Sequence, residues 1–222
     1  ESSGGTRQLY CDNKGCPAKL VRKFKHFCSK TRMGIEGLSE LTLEKFIRHG
    51  WIRNYGDLFQ LEQHREAIIV TPGFGEKSFA RLQKAIDKRR TCHLNEFVAA
   101  LGIPEVGRHA GRILNSHFHG SWTKFEQAIK DNFDFTQLTD FGQIMHDNIY
   151  TWYADVENAK LWRPALDHIT FMEEETMSTT TETRHNPFYG KTVVATGKLI
   201  NYTRDEIQNK LLILGAKPTS SV

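Results

Sequence analysis

Residues 71–77, Thr71-Pro72-Gly73-Phe74-Gly75-Glu76-Lys77, set two glycines around one hydrophobic residue, with a lysine two positions later. Glycine admits positive φ and lets a backbone approach a ligand closely. A helix starting at the second glycine leaves its first N–H groups without a partner inside the helix, and its dipole favours an anion there. The chemistry this offers is phosphate binding by backbone amides, with Lys77 adding charge. Both glycines are expected to use positive φ, and the hydrophobic residue between them to be buried. Amide contacts to phosphate carry no base information, so such a turn grips nucleic acid by shape and spacing. A single copy is better read as an ordinary helix-to-helix turn.

The pattern is not single. Ile35-Glu36-Gly37-Leu38-Ser39, Ile103-Pro104-Glu105-Val106-Gly107-Arg108 and Thr139-Asp140-Phe141-Gly142 repeat it, with hydrophobic centres 36, 32 and 35 residues apart. Near-constant spacing predicts tandem helix-hairpin-helix units. The second copy is the most complete, and the third keeps Gly107 and Arg108 but has Glu105 at the first glycine position. Ser39 in the first copy and Asp140 in the fourth depart from the pattern, which weakens phosphate contact there. Residues expected to contact DNA are Gly37, Gly73, Gly75, Lys77, Gly107 and Arg108, assisted by Arg22, Lys23 and Lys25.

Two other residue types invite a chemical reading. Cys11 and Cys16 form a two-cysteine knuckle, but tetrahedral zinc needs four ligands, usually in two pairs. On its own the pair fits a zinc half-site and two thiols in a mobile segment equally well. Cys28 and Cys92 lie among apolar residues and read as buried thiols. His109, His117 and His119 have no carboxylate or cysteine to complete a ligand set and read as surface histidines. The chain carries no Gly-x-x-x-x-Gly-Lys loop, no nucleophile elbow and no Lys-x-Asp-Gly motif, so no catalytic residue is expected in it.

Short helices must position these turns. Phe79, Leu82 and Ile86 form one stripe after Gly75, and Ile149 and Trp152 are the expected anchors after Gly142. Residues 1–30 hold seven Lys/Arg against two Asp/Glu, whereas residues 91–160 hold five against nine, so phosphates should lie nearest the N-terminal part. A polar, Thr-rich stretch, Glu173 to Thr183, reads as a linker. Beyond it, Thr192–Ala195 reads as a strand. Thr203 and Glu206 cap an amphipathic helix bearing Ile207, Leu211 and Leu214, and Gly215 closes it before a second strand. That α/β pattern stops at Val222 before such a domain could be complete. No apolar run is long enough for a membrane span and no signal pattern opens the chain, so a cytoplasmic setting is expected. The opening Glu1-Ser-Ser-Gly-Gly reads as a cut within a longer chain.

Taken together these stretches resemble the C-terminal region of bacterial NAD-dependent DNA ligases. Cys11, Cys16-Pro17-Ala18, Lys25-His26-Phe27 and Met33 to Leu38 resemble that family's zinc finger and first hairpin. Residues 72–78 and 99–107 resemble its second and third hairpins. Gly190 to Gly197, with Leu214 to Lys217, resembles the start of its BRCT domain. The resemblance implies a mainly α fold. It comprises a half zinc finger over 1–30, a tandem helix-hairpin-helix DNA-binding domain over 31–165, a linker over 166–186 and a truncated α/β BRCT domain over 187–222. It also implies part of an enzyme that seals nicked double-stranded DNA in replication and repair, acting as a monomer with no membrane partner. NAD and magnesium would act in catalytic domains missing here, and the zinc would need a second cysteine pair besides Cys11 and Cys16. The alternatives are a hairpin module of another repair enzyme and a non-enzymatic scaffold.

Overall fold

The computed structural model describes residues 2–3, 6–7, 16–173, 187–197 and 202–219. Near the N-terminus, β1 (Ser2–Ser3) pairs antiparallel with β2 (Thr6–Arg7). The fold is then mainly helical, as expected. Helices α1 (Pro17–Cys28), α2 (Glu40–Arg48), α3 (Tyr55–Leu58), α4 (Arg65–Ile69) and α5 (Glu76–Asp87) form the first half. Helices α6 (Leu94–Ala100), α7 (Arg108–His117), α8 (Trp122–Lys130), α9 (Gln143–Ala154) and α10 (Val156–Trp162) form the second.

Local chemistry sets where these helices begin. Pro17 stands at the first position of α1, where its missing N–H costs no helical bond. Ser39 starts α2 by accepting the Thr42 amide at 3.1 Å. Asn54 and Asp57 cap α3 reciprocally, each side chain accepting the other's backbone amide at 3.1 Å. Asp155 starts α10 by accepting the Asn158 amide at 3.0 Å.

One hydrophobic cluster runs from Val21 to Ile169, so α1 packs as part of the helical unit. Phe27 stacks on Tyr55 with centroids 4.0 Å apart and meets Phe97 of α6 edge-on at 6.2 Å. Phe97 continues to Trp122 at 5.4 Å, and Trp122 to Trp162 at 5.3 Å. Trp152 stacks on Trp162 at 4.8 Å. Aromatic pairs of this kind add about 0.5–1.5 kcal/mol each beyond area burial. The expected anchors Phe79, Leu82, Ile86, Ile149 and Trp152 are all buried in this cluster. Backbones also meet closely: a Cβ on Gly56 would lie 2.6 Å from the Pro164 carbonyl oxygen, so only glycine fits there.

The helical unit closes through a short parallel ladder. β3 (Thr91–Cys92) pairs with β4 (Thr170–Phe171), and the Met172 amide donates to the Cys92 carbonyl at 3.0 Å. The chain therefore stays packed through Phe171, which meets Phe97 edge-on at 5.3 Å. Most of the Thr-rich stretch read as a linker lies outside the described residues. Beyond it, β5 (Thr192–Val194) and β6 (Lys217–Thr219) pair in parallel. Between them lies α11 (Arg204–Ile213). The expected cap is present: the Thr203 amide donates to Glu206 at 2.6 Å, and the Glu206 amide to the Thr203 hydroxyl at 3.2 Å. Gly215 takes φ +75° just past the helix. No helix among the described residues is long and apolar enough to cross a membrane.

Candidate nucleic-acid interface

Each of the four repeats folds as a turn leading into a helix: α2, α5, α7 and α9. We number the hairpins 1 to 4 in that order. In hairpins 2, 3 and 4 the turn is closed by the same bond: Phe74 N–H to Thr71, Val106 N–H to Ile103 and Phe141 N–H to Leu138, at 2.9, 3.1 and 3.1 Å. The residue before the hydrophobic centre has positive φ in all four hairpins. Gly37 is at +96°, Gly73 at +90°, Glu105 at +62° and Asp140 at +62°. Positive φ at that position is what a type II turn requires, and proline suits the position before it, where Pro72 and Pro104 stand.

The second glycine behaves otherwise than expected. Gly75 has φ −169° and Gly107 φ −91°, both ordinary extended backbone. The expectation that both glycines use positive φ is therefore corrected: only the first does. A Cβ built on Gly75, Gly107 or Gly142 meets no atom within 4 Å. Among the described residues no steric contact demands glycine at these three sites. The hydrophobic centres also differ in burial. Val106 and Phe141 are buried, whereas Leu38 and Phe74 are half-buried, correcting the expectation of a uniformly buried centre.

The helix starts separate the hairpins further. Helices α5, α7 and α9 begin on Gly75, Gly107 and Gly142 with no side-chain cap. In hairpin 1 the Ser39 hydroxyl takes a first-turn amide of α2, so that helix start is satisfied from within. Hairpins 2 and 3 add charge to uncapped starts, through exposed Lys77 in the first turn of α5 and exposed Arg108 at the first position of α7. Glu76, also in the first turn of α5, is paired with Arg65 at 2.6 Å, which offsets its negative charge. Hairpin 4 offers a carboxylate instead: Asp140 accepts from His109 of α7 at 3.0 Å and so joins turn 4 to hairpin 3.

Two residues that sequence reasoning passed over hold the turns in place. Lys45 on α2 donates to the Pro72 carbonyl of turn 2 at 2.7 Å. Asn148 on α9 donates to the Pro104 carbonyl of turn 3 at 3.1 Å. Both stand seven residues after their own hydrophobic centres, Leu38 and Phe141, so repeat register was the signal that could have found them. Hairpin 1 thus buttresses turn 2, and hairpin 4 buttresses turn 3. Gly37 packs on α5, a Cβ there lying 3.7 Å from a methyl carbon of Leu82.

Arg22, Lys23 and Lys25 of α1 are exposed but unequal. Lys25 pairs with Glu40 at 2.5 Å, and that hydrogen-bonded ammonium holds the Glu40 carboxyl below its ordinary range. Lys23 donates to Asn158 at 3.4 Å. Arg22 and Lys23 share a cavity of about 440 Å³ with Pro104 of turn 3, and so lie near hairpin 3.

The cysteines do not assemble a metal centre among the described residues, where no group of three or more His, Cys, Asp or Glu could hold an ion. Cys11 lies outside those residues. Cys16 precedes α1 and Cys28 ends it, twelve residues on, which is about 18 Å at 1.5 Å per residue. Cys28 is buried and its thiol pKa is pushed up by desolvation. Burial likewise pushes Cys92 up to about 12, the Glu96 charge adding to it. These residues do not fit a zinc ion by themselves.

No family model matches the chain. It is 34% identical over 217 residues to a DNA ligase of Lachnoclostridium phytofermentans, covering 97% of this chain and 32% of that protein. It is 31% identical to a DNA ligase of Ruminiclostridium cellulolyticum, covering all of this chain and 33% of the relative. With a DNA ligase of Symbiobacterium thermophilum it shares 35% identity, again over the whole chain and 32% of the relative. The chain spans about a third of the length of these curated relatives. By sequence, then, the whole chain is similar to a segment of these bacterial DNA ligases that is about a third of their length.

Proposed function

We propose that this chain grips nicked duplex DNA for an NAD-dependent DNA ligase, holding the sugar–phosphate backbone through hairpins 2 and 3 without reading base sequence. The observation that carries this is the pair of helix starts at Gly75 and Gly107, uncapped, open above the glycine and flanked by Lys77 and Arg108. Among the described residues nothing crowds a Cβ at either glycine, but that Cβ would stand where a phosphate must approach. Gly73 supplies the turn, and the Lys45 ammonium lies 3.9 Å from where a Cβ on it would stand, adding charge beside turn 2. Arg22 and Lys23 assist from beside turn 3, while Lys25 is largely occupied by Glu40. Gly37 is a turn-former. Dependence on NAD is supported by the motif resemblance, and a DNA substrate by the relatives' name, DNA ligase. No bond-making step is assigned to this chain's residues; its role is positioning, as a monomer. The test is affinity for a nicked duplex as a function of salt. Lys77→Ala and Arg108→Ala should each lower the slope of log K against log salt by about 0.9. Unchanged slopes in both folded variants would refute the proposal.

A further inference from the structure

Hairpins 1 and 4 each expose an aliphatic side chain at one shared place. Leu41 on α2 and Ile144 on α9 are both 70% exposed. A lone aliphatic residue on a surface needs no explanation. These two share a register. Each stands two residues past the one that starts its helix, Ser39 or Gly142, and in hairpins 2 and 3 that place is held by Lys77 and His109, also exposed. Neither belongs to the core face of its helix, which is Leu43 and Phe46 in α2 and Ile149 and Trp152 in α9. Both also stand one helical turn before a residue that holds a neighbouring hairpin. Lys45, four residues after Leu41, donates to the Pro72 carbonyl of turn 2 at 2.7 Å. Asn148, four residues after Ile144, donates to the Pro104 carbonyl of turn 3 at 3.1 Å. Residues four apart on a helix share one face, with Cβ atoms about 5–6 Å apart. Leu41 therefore lies on the face of α2 that looks onto turn 2, and Ile144 on the face of α9 that looks onto turn 3. The same relation arises twice, from different aliphatic residues and different buttressing ones.

We propose that Leu41 and Ile144 pack on the deoxyribose rings next to the phosphates held by turns 2 and 3. The DNA backbone alternates anionic phosphates with sugars whose C–H edges are apolar. A turn that presents amides and cations meets the first, and an aliphatic side chain beside it meets the second. A longer, charged side chain at the same register position, as Lys77 has, reaches the phosphate instead. The aliphatic contact adds affinity by removing apolar surface from water and releases no counterion. Sugars are alike under every base, so the contact carries no sequence information. The inference rests on turns 2 and 3 gripping DNA as proposed above. It gives hairpins 1 and 4 a share in that grip, although the start of α2 is capped by Ser39 and turn 4 carries Asp140.

The experiment uses the whole chain, the double variant Leu41→Ala/Ile144→Ala and the single variant Leu41→Lys. Both positions are exposed, so thermal unfolding should match the parent. Affinity for a nicked duplex is then measured against salt. The alanine pair should bind about tenfold more weakly, from the lost apolar area, with an unchanged slope of log K against log salt. Leu41→Lys should steepen that slope by about 0.9, because an ammonium group there reaches a phosphate. Parental affinity in the alanine pair overturns the inference, and so does a parental slope in Leu41→Lys. Parental affinity together with a parent dimer that the alanine pair abolishes in sedimentation overturns it in favour of a second copy of this chain. Lys77→Ala tests turn 2 without touching either aliphatic residue. A lowered slope there, beside an alanine pair that binds normally, sinks this inference alone. Unchanged slopes in both Lys77→Ala and Arg108→Ala sink the hairpin reading and this one with it.

Discussion

Gly75→Ala and Gly73→Ala should fail in different assays. At Gly73 the backbone has φ +90°, and the nearest atom to a new Cβ is the Lys45 Nζ at 3.9 Å, so the cost is backbone strain alone. An L-residue in that region costs about 1–2 kcal/mol. For a chain of this size each kcal/mol lowers Tm by about 2–4 °C, so Gly73→Ala should lower it by roughly 2–8 °C. At Gly75 the backbone is extended at φ −169° and no atom lies within 4 Å of a new Cβ. Alanine is a poorer N-cap than glycine by up to about 1 kcal/mol, but it also restricts the unfolded chain by about 0.4–1 kcal/mol. The two nearly cancel, and stability should hold within about 0.5 kcal/mol. DNA binding should not hold. The methyl group stands over the uncapped start of α5, and losing a charge-assisted amide–phosphate contact costs about 1.5–3 kcal/mol, a tenfold to hundredfold weakening. Circular dichroism melts and fluorescence anisotropy with a labelled nicked duplex separate the two effects. A folded Gly75→Ala protein that binds with parental affinity would refute the amide–phosphate account. A Gly73→Ala protein as stable as the parent would refute the turn geometry.

Other outcomes follow from the same contacts. Ser39→Ala should cost about 1 kcal/mol by uncapping α2, yet leave DNA affinity unchanged, since that hydroxyl is spent on Thr42; denaturant unfolding and anisotropy check both halves. Gly56→Ala should destabilise by about 1–3 kcal/mol, because its Cβ would sit 2.6 Å from the Pro164 carbonyl oxygen, and a normal unfolding midpoint would contradict that packing. Burial raises the Glu126 carboxyl, but hydrogen bonds from Tyr153 and Lys130 and the Arg163 charge outweigh it and leave it below the ordinary range. A depressed carboxyl stabilises fully above its unfolded value, about 4.3, and loses that contribution as pH falls through the folded value. Stability measured from pH 6 to pH 3 should therefore fall less steeply in Glu126→Gln than in the parent, and parallel curves would show that the carboxylate contributes nothing.

What the sequence by itself determined were the local features, because their causes are local. The four turns, the helices behind them, the Thr203–Glu206 cap and the buried stripe of Phe79, Leu82 and Ile86 depend on propensity, periodicity and short-range hydrogen bonds. The likeness to DNA ligases was legible too, since the motifs occur in order along one chain. Which glycine bears the strained backbone was not legible, because both stand in one triplet and only the folded turn assigns φ +90° to Gly73 and an extended backbone to Gly75. Nor was the support of turn 2 by Lys45, of turn 3 by Asn148, or the link from Asp140 to His109, since each joins residues 27 to 44 positions apart.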